Sequence, residues 1–306
     1  MKPLRKRIRD YAIDLVVRGL FWVGLRLPYA TRVRLLGWIG SRILAPLAGF
    51  HRRIRSNLAL VCPDLPPAEV RRLMRAVPDN AVRTLVEIFS GEEFARVARS
   101  SPIRGAEGLA AIEAAQDVGR PVMLVSGHFG NYDVVRAVMA ARGLPVGGLY
   151  NPMSNPHFNT RYVAAITAIS EPVFPRGRRG LAEMLKHLRG GGMVGILIDQ
   201  RMAHGAPLKF FGQTAYTALS TAEMALKYNA LVVPVYGRRL PDGLSFELIV
   251  EPPLQPGTPE EMTQALNDSL EAQVRTHMDQ WFWVHRRWRG VRRRAAKADR
   301  RGEAPA

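Results

Sequence analysis

Between residues 121 and 236 the chain repeats one pattern: a short apolar run, then a longer stretch with helical spacing. The runs PVMLVS (121–126), MVGILI (193–198) and LVVPVY (231–236) have the length of strands and almost no polar face. That is the signature of strands buried on both sides, as in a parallel sheet. Residues 144–150 and 171–174 are weaker runs of the same kind. Helical spacing marks 131–141, 158–169, 179–189 and 217–229. The alternation predicts an α/β fold: a mixed, mostly parallel sheet flanked by helices. Residues 244–250 alternate and follow Pro241-Asp242-Gly243, which predicts a hairpin with the preceding strand. A last helix is predicted over 258–279.

The first hundred residues read differently. Residues 8–50 suggest two helices broken near Pro28, because proline disfavours a continuous helix. Residues 68–89 read as another helix, with Val70, Leu73, Met74 and Val77 on one side and a kink at Pro78. The expected organisation is a membrane-associating helical extension (1–60), an α/β domain (61–290) and a basic, disordered tail (291–306).

The formal net charge is +18, and it sits at the two ends. Residues 1–55 carry 13 Lys/Arg against 2 Asp/Glu, and residues 281–306 carry 9 against 2, while the stretch between is balanced. A neutral body with basic ends suits an anionic surface, either lipid headgroups or nucleic acid. Lipid is the better match. Leu15, Val16, Val17, Leu20, Phe21, Trp22, Val23 and Leu25 are interleaved with the N-terminal charges, as in interfacial helices. Nor is there a zinc-finger, helix-turn-helix or RNP-type signature, so no nucleic acid partner is expected. Arg18 and Arg26 interrupt the apolar run, which favours a peripheral helix over a membrane span. The single cysteine, Cys62, excludes an internal disulfide and fits a small buried role. The seven histidines are scattered, and no structural metal is expected.

The chemistry is concentrated in Val125-Ser-Gly-His-Phe-Gly-Asn-Tyr-Asp133. A strand ends here, Gly127 and Gly130 allow a tight turn, and Asn131 can cap the following helix. His128 therefore falls at the C-terminal end of a strand, where α/β sheets place ligands. Asp133 lies in the first helical turn, and its carboxylate is expected to accept the Nδ1–H of His128. Nε2 would then be free to act as a general base. Backbone N–H groups around Gly127–Asn131 are the expected oxyanion donors.

This segment resembles the H-x-x-x-x-D/E motif of the glycerolipid and lysophospholipid acyltransferases. More narrowly, His-Phe-Gly-Asn-Tyr-Asp is similar to the H-F-G-N-W-E motif of the bacterial lipid A biosynthesis acyltransferases. Arg53-Ile-Arg-Ser-Asn-Leu58 with Pro63-Asp64-Leu65, the Asp199-Gln200 step, Phe210-Phe211-Gly212 with the run 214–222, and Trp281-Phe-Trp-Val-His-Arg-Arg287 resemble further motifs of that family in the same order. Asp133 departs from the Glu usual in that branch. Phe174-Pro-Arg-Gly177 resembles the superfamily's F-P-E-G acceptor motif. Its Arg176 in place of Glu argues against plain glycerol 3-phosphate as acceptor.

The resemblance implies an O-acyltransferase that needs no cofactor, with acyl carrier protein as thioester donor and a membrane lipid, a lipid A precursor, as acceptor. It would work on the cytoplasmic face of the inner membrane. Arg176, Arg178 and Arg179 suit substrate phosphates. Asp199 could orient a substrate hydroxyl or pair with one of these arginines. His285 is given no catalytic role. Two other readings stand beside this one: acylation of another lysolipid, such as a lysophospholipid or aminolipid, and a non-catalytic membrane or nucleic-acid binder.

Overall fold

The structure, a computed structural model, describes residues 11, 14, 15, 18, 19 and 21–289. The tail expected over 291–306 lies outside the described residues. Helical residues 21–26 (α1) end before Pro28, and α2 (Tyr29–Ile39) starts immediately after it. The break falls where proline was expected to put it. A π-helical turn (Gly40–Leu44) and a short α3 (Ala45–Leu47) follow, then α4 (Phe50–Val61) and α5 (Pro67–Ile88). The helix α5 continues through Pro78, which is buried in it. Its length comes from the apolar face formed by Leu73, Met74 and Val77, since packing of such a face supplies most of a helix's stability. After α6 (Glu92–Arg99) the chain enters the sheet.

Seven strands form that sheet in the order β1-β9-β8-β2-β5-β3-β4. They are β1 (Ile103–Arg104), β2 (Val122–Ser126), β3 (Val146–Tyr150), β4 (Val173–Pro175), β5 (Met193–Leu197), β8 (Leu231–Arg239) and β9 (Phe246–Val250). All neighbours are parallel except β8 and β9, which form the expected hairpin. The helices α7 (Ala106–Asp117), α8 (Asp133–Ala141), α9 (Pro156–Ile169), α10 (Arg178–Arg189), α11 (Ser220–Tyr228) and α12 (Pro259–Thr276) cover the two faces. In β2 every residue is buried. Val122 and Leu124 join one core cluster with Val134, Val138 and Ile166, whereas Met123 and Val125 join another with Met184, Ala222 and Leu266. A strand with both faces covered can have no polar alternation, which is why 121–126 reads as a continuous apolar run.

One element departs from the expected pattern. Residues 206–217 form a separate antiparallel hairpin, β6 (Ala206–Phe210) and β7 (Gln213–Thr217), so α11 starts later than the expected 217. Phe211 and Gly212 at its tip both have positive φ, 53° and 69°. The hairpin packs its phenylalanines against the C-terminal aromatics: Phe210 stacks on Trp288 at 5.8 Å and Phe211 meets Trp283 at 5.3 Å.

The loop after β2 lies tightly on β8. The β2–β8 ladder stops at Val125 opposite Pro234, which has no N–H to continue it. Asn131 N–H then donates to Gly237 O at 2.8 Å, and Gly130 N–H donates to Gln280 O at 2.9 Å. Gly130 has φ +54°, and a Cβ there would lie 2.0 Å from Gly237 O. Gly130→Ala should therefore lower stability by at least about 1–3 kcal/mol, from positive-φ strain and a backbone collision together. Chemical denaturation of the purified variant measures this, and an unchanged midpoint would show that the loop can lift off β8 freely.

Candidate active site

The register of two strands far apart in sequence builds the site. β2 and β5 run parallel with Ser126 opposite Leu197. Two residues beyond each lie His128 and Asp199, side by side at the C-terminal edge of the sheet. His128 Nδ1 is 2.7 Å from Asp199 Oδ1, and the backbone N–H of His128 donates to Asp199 Oδ2 at 2.9 Å. Trp281 Nε1–H donates to the same Oδ2 at 2.8 Å. Asp199 is completely buried. Burial alone would oppose its ionisation, but the charge of His128, its two hydrogen bonds and the neighbouring His285 hold the carboxyl well below the usual carboxylate range. An ionised Asp199 accepts a hydrogen bond from Nδ1–H, which leaves Nε2 as the ring nitrogen outside the pair.

The expected partner was Asp133, and here the geometry is different. Asp133 is the first residue of α8 and is buried, with its Oδ1 accepting from Arg136 Nη1 at 2.8 Å. Arg136 is held in turn by the carbonyls of Val146, Ile166 and Ser170. A carboxylate one turn from a buried arginine on its own helix is captured by it (i, i+3) before it can reach back over the loop. The pair locks α8 to β3 and α9. Four of the expected oxyanion donors are already bonded as well. The N–H groups of 128, 129, 130 and 131 are all engaged within the protein, by Asp199, Gly127 O, Gln280 O and Gly237 O. They fix the loop's shape instead. Asn131 Oδ1 accepts the Asp133 N–H at 3.0 Å, close to the expected cap, and its Nδ2 donates to Glu87 at 2.9 Å. A Cβ at Gly127 would lie 2.7 Å from the end of the Leu270 side chain, which would have to shift to admit it.

The arginines at 176–179 are not brought to His128. They follow β4, three strands from β2, which is about 14 Å at the usual strand spacing. Arg176, Arg178 and Arg179 are exposed, and Arg179 pairs with Glu183. Arg178 and Arg179 open α10 without any acidic residue in its first turn. Their charge therefore adds to the positive end of the helix dipole.

The closing motif enters the site, which its sequence spacing did not reveal. Phe282 N–H donates to His128 O at 3.0 Å, and Phe129 bridges Trp281. The His285 ring lies 4.6 Å from that of His128, with Nε2 3.8 Å from Asp199 Oδ2. Arg287 anchors the segment from below, donating to Thr217 Oγ1 at 2.7 Å and Asn267 Oδ1 at 3.1 Å. Asn57 holds it from the other side, through the carbonyls of Trp283 and His285 at 2.7 and 2.9 Å. The recurring pattern 281–287 was the available signal for Trp281 and His285. Among the described residues, His128, Asp199 and His285 also form one group whose potential metal-binding atoms lie within 4.8 Å of one another.

His128 remains 23% exposed on a cavity of about 230 Å³, whose walls include Val77, Ala81, Leu85, Tyr132 and Phe282. An imidazole–carboxylate pair with one ring nitrogen outside the pair, in the wall of a largely apolar cavity, can take a proton from a hydroxyl bound there.

The comparisons agree with this class of chemistry. The family model for bacterial lipid A biosynthesis acyltransferase matches residues 2–290, and the chain belongs to that family. It is an O-acyltransferase of the lipid A type. Similar proteins include the lipid A biosynthesis lauroyltransferase of Escherichia coli, 26% identical over 282 residues that cover 89% of each chain. The lipid A biosynthesis acyltransferase of Haemophilus influenzae is 23% identical over 87% of this chain and 85% of its own. The phosphatidylinositol mannoside acyltransferase of Mycolicibacterium smegmatis is 24% identical over 81% of this chain and 83% of its own.

Burial lowers the pKa of His285 to about 4, with Asp199 opposing and His128 and Arg287 reinforcing the shift. A histidine buried in its neutral form binds fewer protons folded than unfolded. Stability should thus fall as pH drops from about 6.5 towards 4, by about 3 kcal/mol from this one group. Comparing urea midpoints of wild type and His285→Phe across that range checks it: the acid limb should flatten in the variant. An equal slope in both would place the destabilising protonation elsewhere.

Proposed function

We propose that the chain transfers a fatty acyl group from the thioester of acyl carrier protein to a hydroxyl of a lipid A precursor, with His128 as general base and Asp199 as its positioning partner. The hydrogen bond of 2.7 Å between them carries the reading. In the step, Nε2 of His128 takes the hydroxyl proton as the oxygen attacks the thioester carbonyl. The tetrahedral intermediate collapses with cleavage of the carbon–sulfur bond, and the leaving thiolate takes the proton back from His128. Asp199 stabilises the transient imidazolium without becoming protonated. The family and its lauroyltransferase member support the acyl group and the acceptor. The phosphatidylinositol mannoside acyltransferases among the relatives support a second acceptor class, another glycolipid hydroxyl. Arg176, Arg178 and Arg179 would meet a phosphate on the far part of a large substrate.

Steady-state assays separate the two carboxylates. His128→Ala should lose on the order of 10²–10⁴ in kcat, and Asp199→Asn a comparable amount, because an amide cannot stabilise the imidazolium. Asp133→Asn should instead lower the melting temperature, since it weakens a buried ion pair, and keep kcat of the folded enzyme within about tenfold. Near-normal turnover in folded His128→Ala would end the mechanism. A collapse of kcat in Asp133→Asn, with Asp199→Asn active, would return the partner role to Asp133.

The same reading places the enzyme on the cytoplasmic face of the inner membrane, held by its N-terminal segment. Phe21, expected to face lipid, packs on Phe89 at 4.6 Å. Trp22 and Val23 are exposed, at 62% and 59%. Among the described residues no helix is long and apolar enough to cross a membrane. Attachment should therefore be interfacial, with a charge contribution that salt screens and an apolar one that it does not. After cell fractionation the full chain should pellet with membranes and resist a high-salt wash. A variant with Trp22→Ser and Val23→Ser should become salt-extractable, and recovery of the wild type in the soluble fraction would remove the membrane from the reading.

A further inference from the structure

A second basic feature lies away from His128, on the helices that precede the sheet. The face of α2 and its π-helical turn, together with α5, encloses an open groove of about 510 Å³ lined by Trp38, Arg42, Arg71, Arg72, Arg75 and Asp79, among others. The charges in it are not balanced. Arg72 is paired with Glu69 and Asp279, and Asp79 is taken by Arg83. Arg42, Arg71 and Arg75 are exposed and have no carboxylate partner among the described residues. Three free guanidinium groups on two helices therefore face one groove. Each can offer paired N–H donors that match phosphate oxygens.

The surroundings of the groove identify its occupant. Trp38 on its lip is 52% exposed. The same short segment exposes Leu35, Ile43, Leu44 and Leu47, the last at 83%. An acidic protein partner would match the arginines and leave these apolar side chains against a polar surface. A bilayer matches both, since its phosphates lie just outside its hydrocarbon and Trp side chains favour the boundary. We propose that the groove between α2 and α5 is a binding site for the phosphate of an anionic membrane phospholipid, distinct from the acyl-transfer site. This rests on the reading that the enzyme works at a membrane. It adds a defined headgroup contact to what would otherwise be diffuse charge attraction.

The position of the site gives it a consequence for the reaction. α5 carries Arg71 and Arg75 on the groove side and Val77, Ala81 and Leu85 on the wall of the His128 cavity. Arg75 and Ala81 are about 9 Å apart along the helix axis. A headgroup seated on the arginines would fix the bilayer surface relative to the catalytic cavity through one rigid helix.

Vesicle co-sedimentation of the full chain tests this, with phosphatidylcholine alone and with phosphatidylcholine containing phosphatidylglycerol. Arg71→Ala/Arg75→Ala should weaken binding to the anionic vesicles by about 30-fold and leave binding to neutral vesicles unchanged. Arg71→Lys/Arg75→Lys, which keeps the charge and loses the paired N–H donors, should recover only part of the affinity lost in the alanine pair, and that partial recovery guards against a folding defect. A control pair, Arg96→Ala/Lys227→Ala, removes the same charge from other exposed positions and should have a much smaller effect. The blue shift of tryptophan fluorescence on anionic vesicles should shrink in Trp38→Phe. Wild-type affinity in Arg71→Ala/Arg75→Ala, or an equal loss in the control pair, overturns the groove while leaving the membrane reading intact. So does retained vesicle binding with a raised KM for the acyl donor, which would give the groove to a protein partner. Failure of the wild type to bind either vesicle overturns both.

Discussion

The buried carboxylate of Asp199 is the point on which the site depends. It accepts from the backbone and ring of His128 and from the indole of Trp281, and it has no exposure to water. A charge in that position is stable only while its donors are present. It therefore ties together three parts of the chain: the loop after β2, the end of β5 and the C-terminal aromatic segment. The same bonds that satisfy the charge set the tautomer of His128. Structural and chemical demands on Asp199 are thus one demand.

A second buried carboxylate supports the first from behind. Glu87 on α5 accepts from Asn131 at 2.9 Å and from Arg239 of β8 at 2.8 Å. Thr84, one turn earlier, donates to Gly130 O at 3.0 Å. The helix that forms the wall of the His128 cavity is in this way bonded to the loop that carries His128 and to the sheet beneath it. The N-terminal helices are consequently part of the site's frame. The bilayer contact proposed for one side of α5 and the His128 cavity on the other would be linked mechanically without any moving part.

The C-terminal segment shows how an aromatic cluster can serve a polar site. Trp281, Trp283 and Trp288 are buried with Phe210 and Phe211 of the β6–β7 hairpin, and each indole N–H finds an acceptor: Asp199, Met278 O and Phe210 O. Fully satisfied indoles let large rings pack without a desolvation cost. The result is a rigid floor that presents one N–H to Asp199 and keeps His285 neutral beside it.

The sequence by itself determined the layers of this protein. Buried strands must be apolar on both faces, so 121–126, 193–198 and 231–236 were legible, as were the helices between them and the hairpin after Pro241-Asp242-Gly243. It also indicated that His128 would stand at a strand end, because the apolar run stops at Val125 and Gly127 and Gly130 allow a tight turn there. Only the tertiary structure decided which carboxylate bonds to it. Asp133 is five residues from His128 and Asp199 is 71 residues away, so local reach pointed to a carboxylate that bonds to Arg136 instead. The choice rests on the register of β2 against β5, on the capture of Asp133 by Arg136, and on Trp281 arriving from the end of the chain. None of these is a property of a contiguous segment. Periodicity records what each segment buries, whereas the pairing of polar groups depends on where distant segments meet.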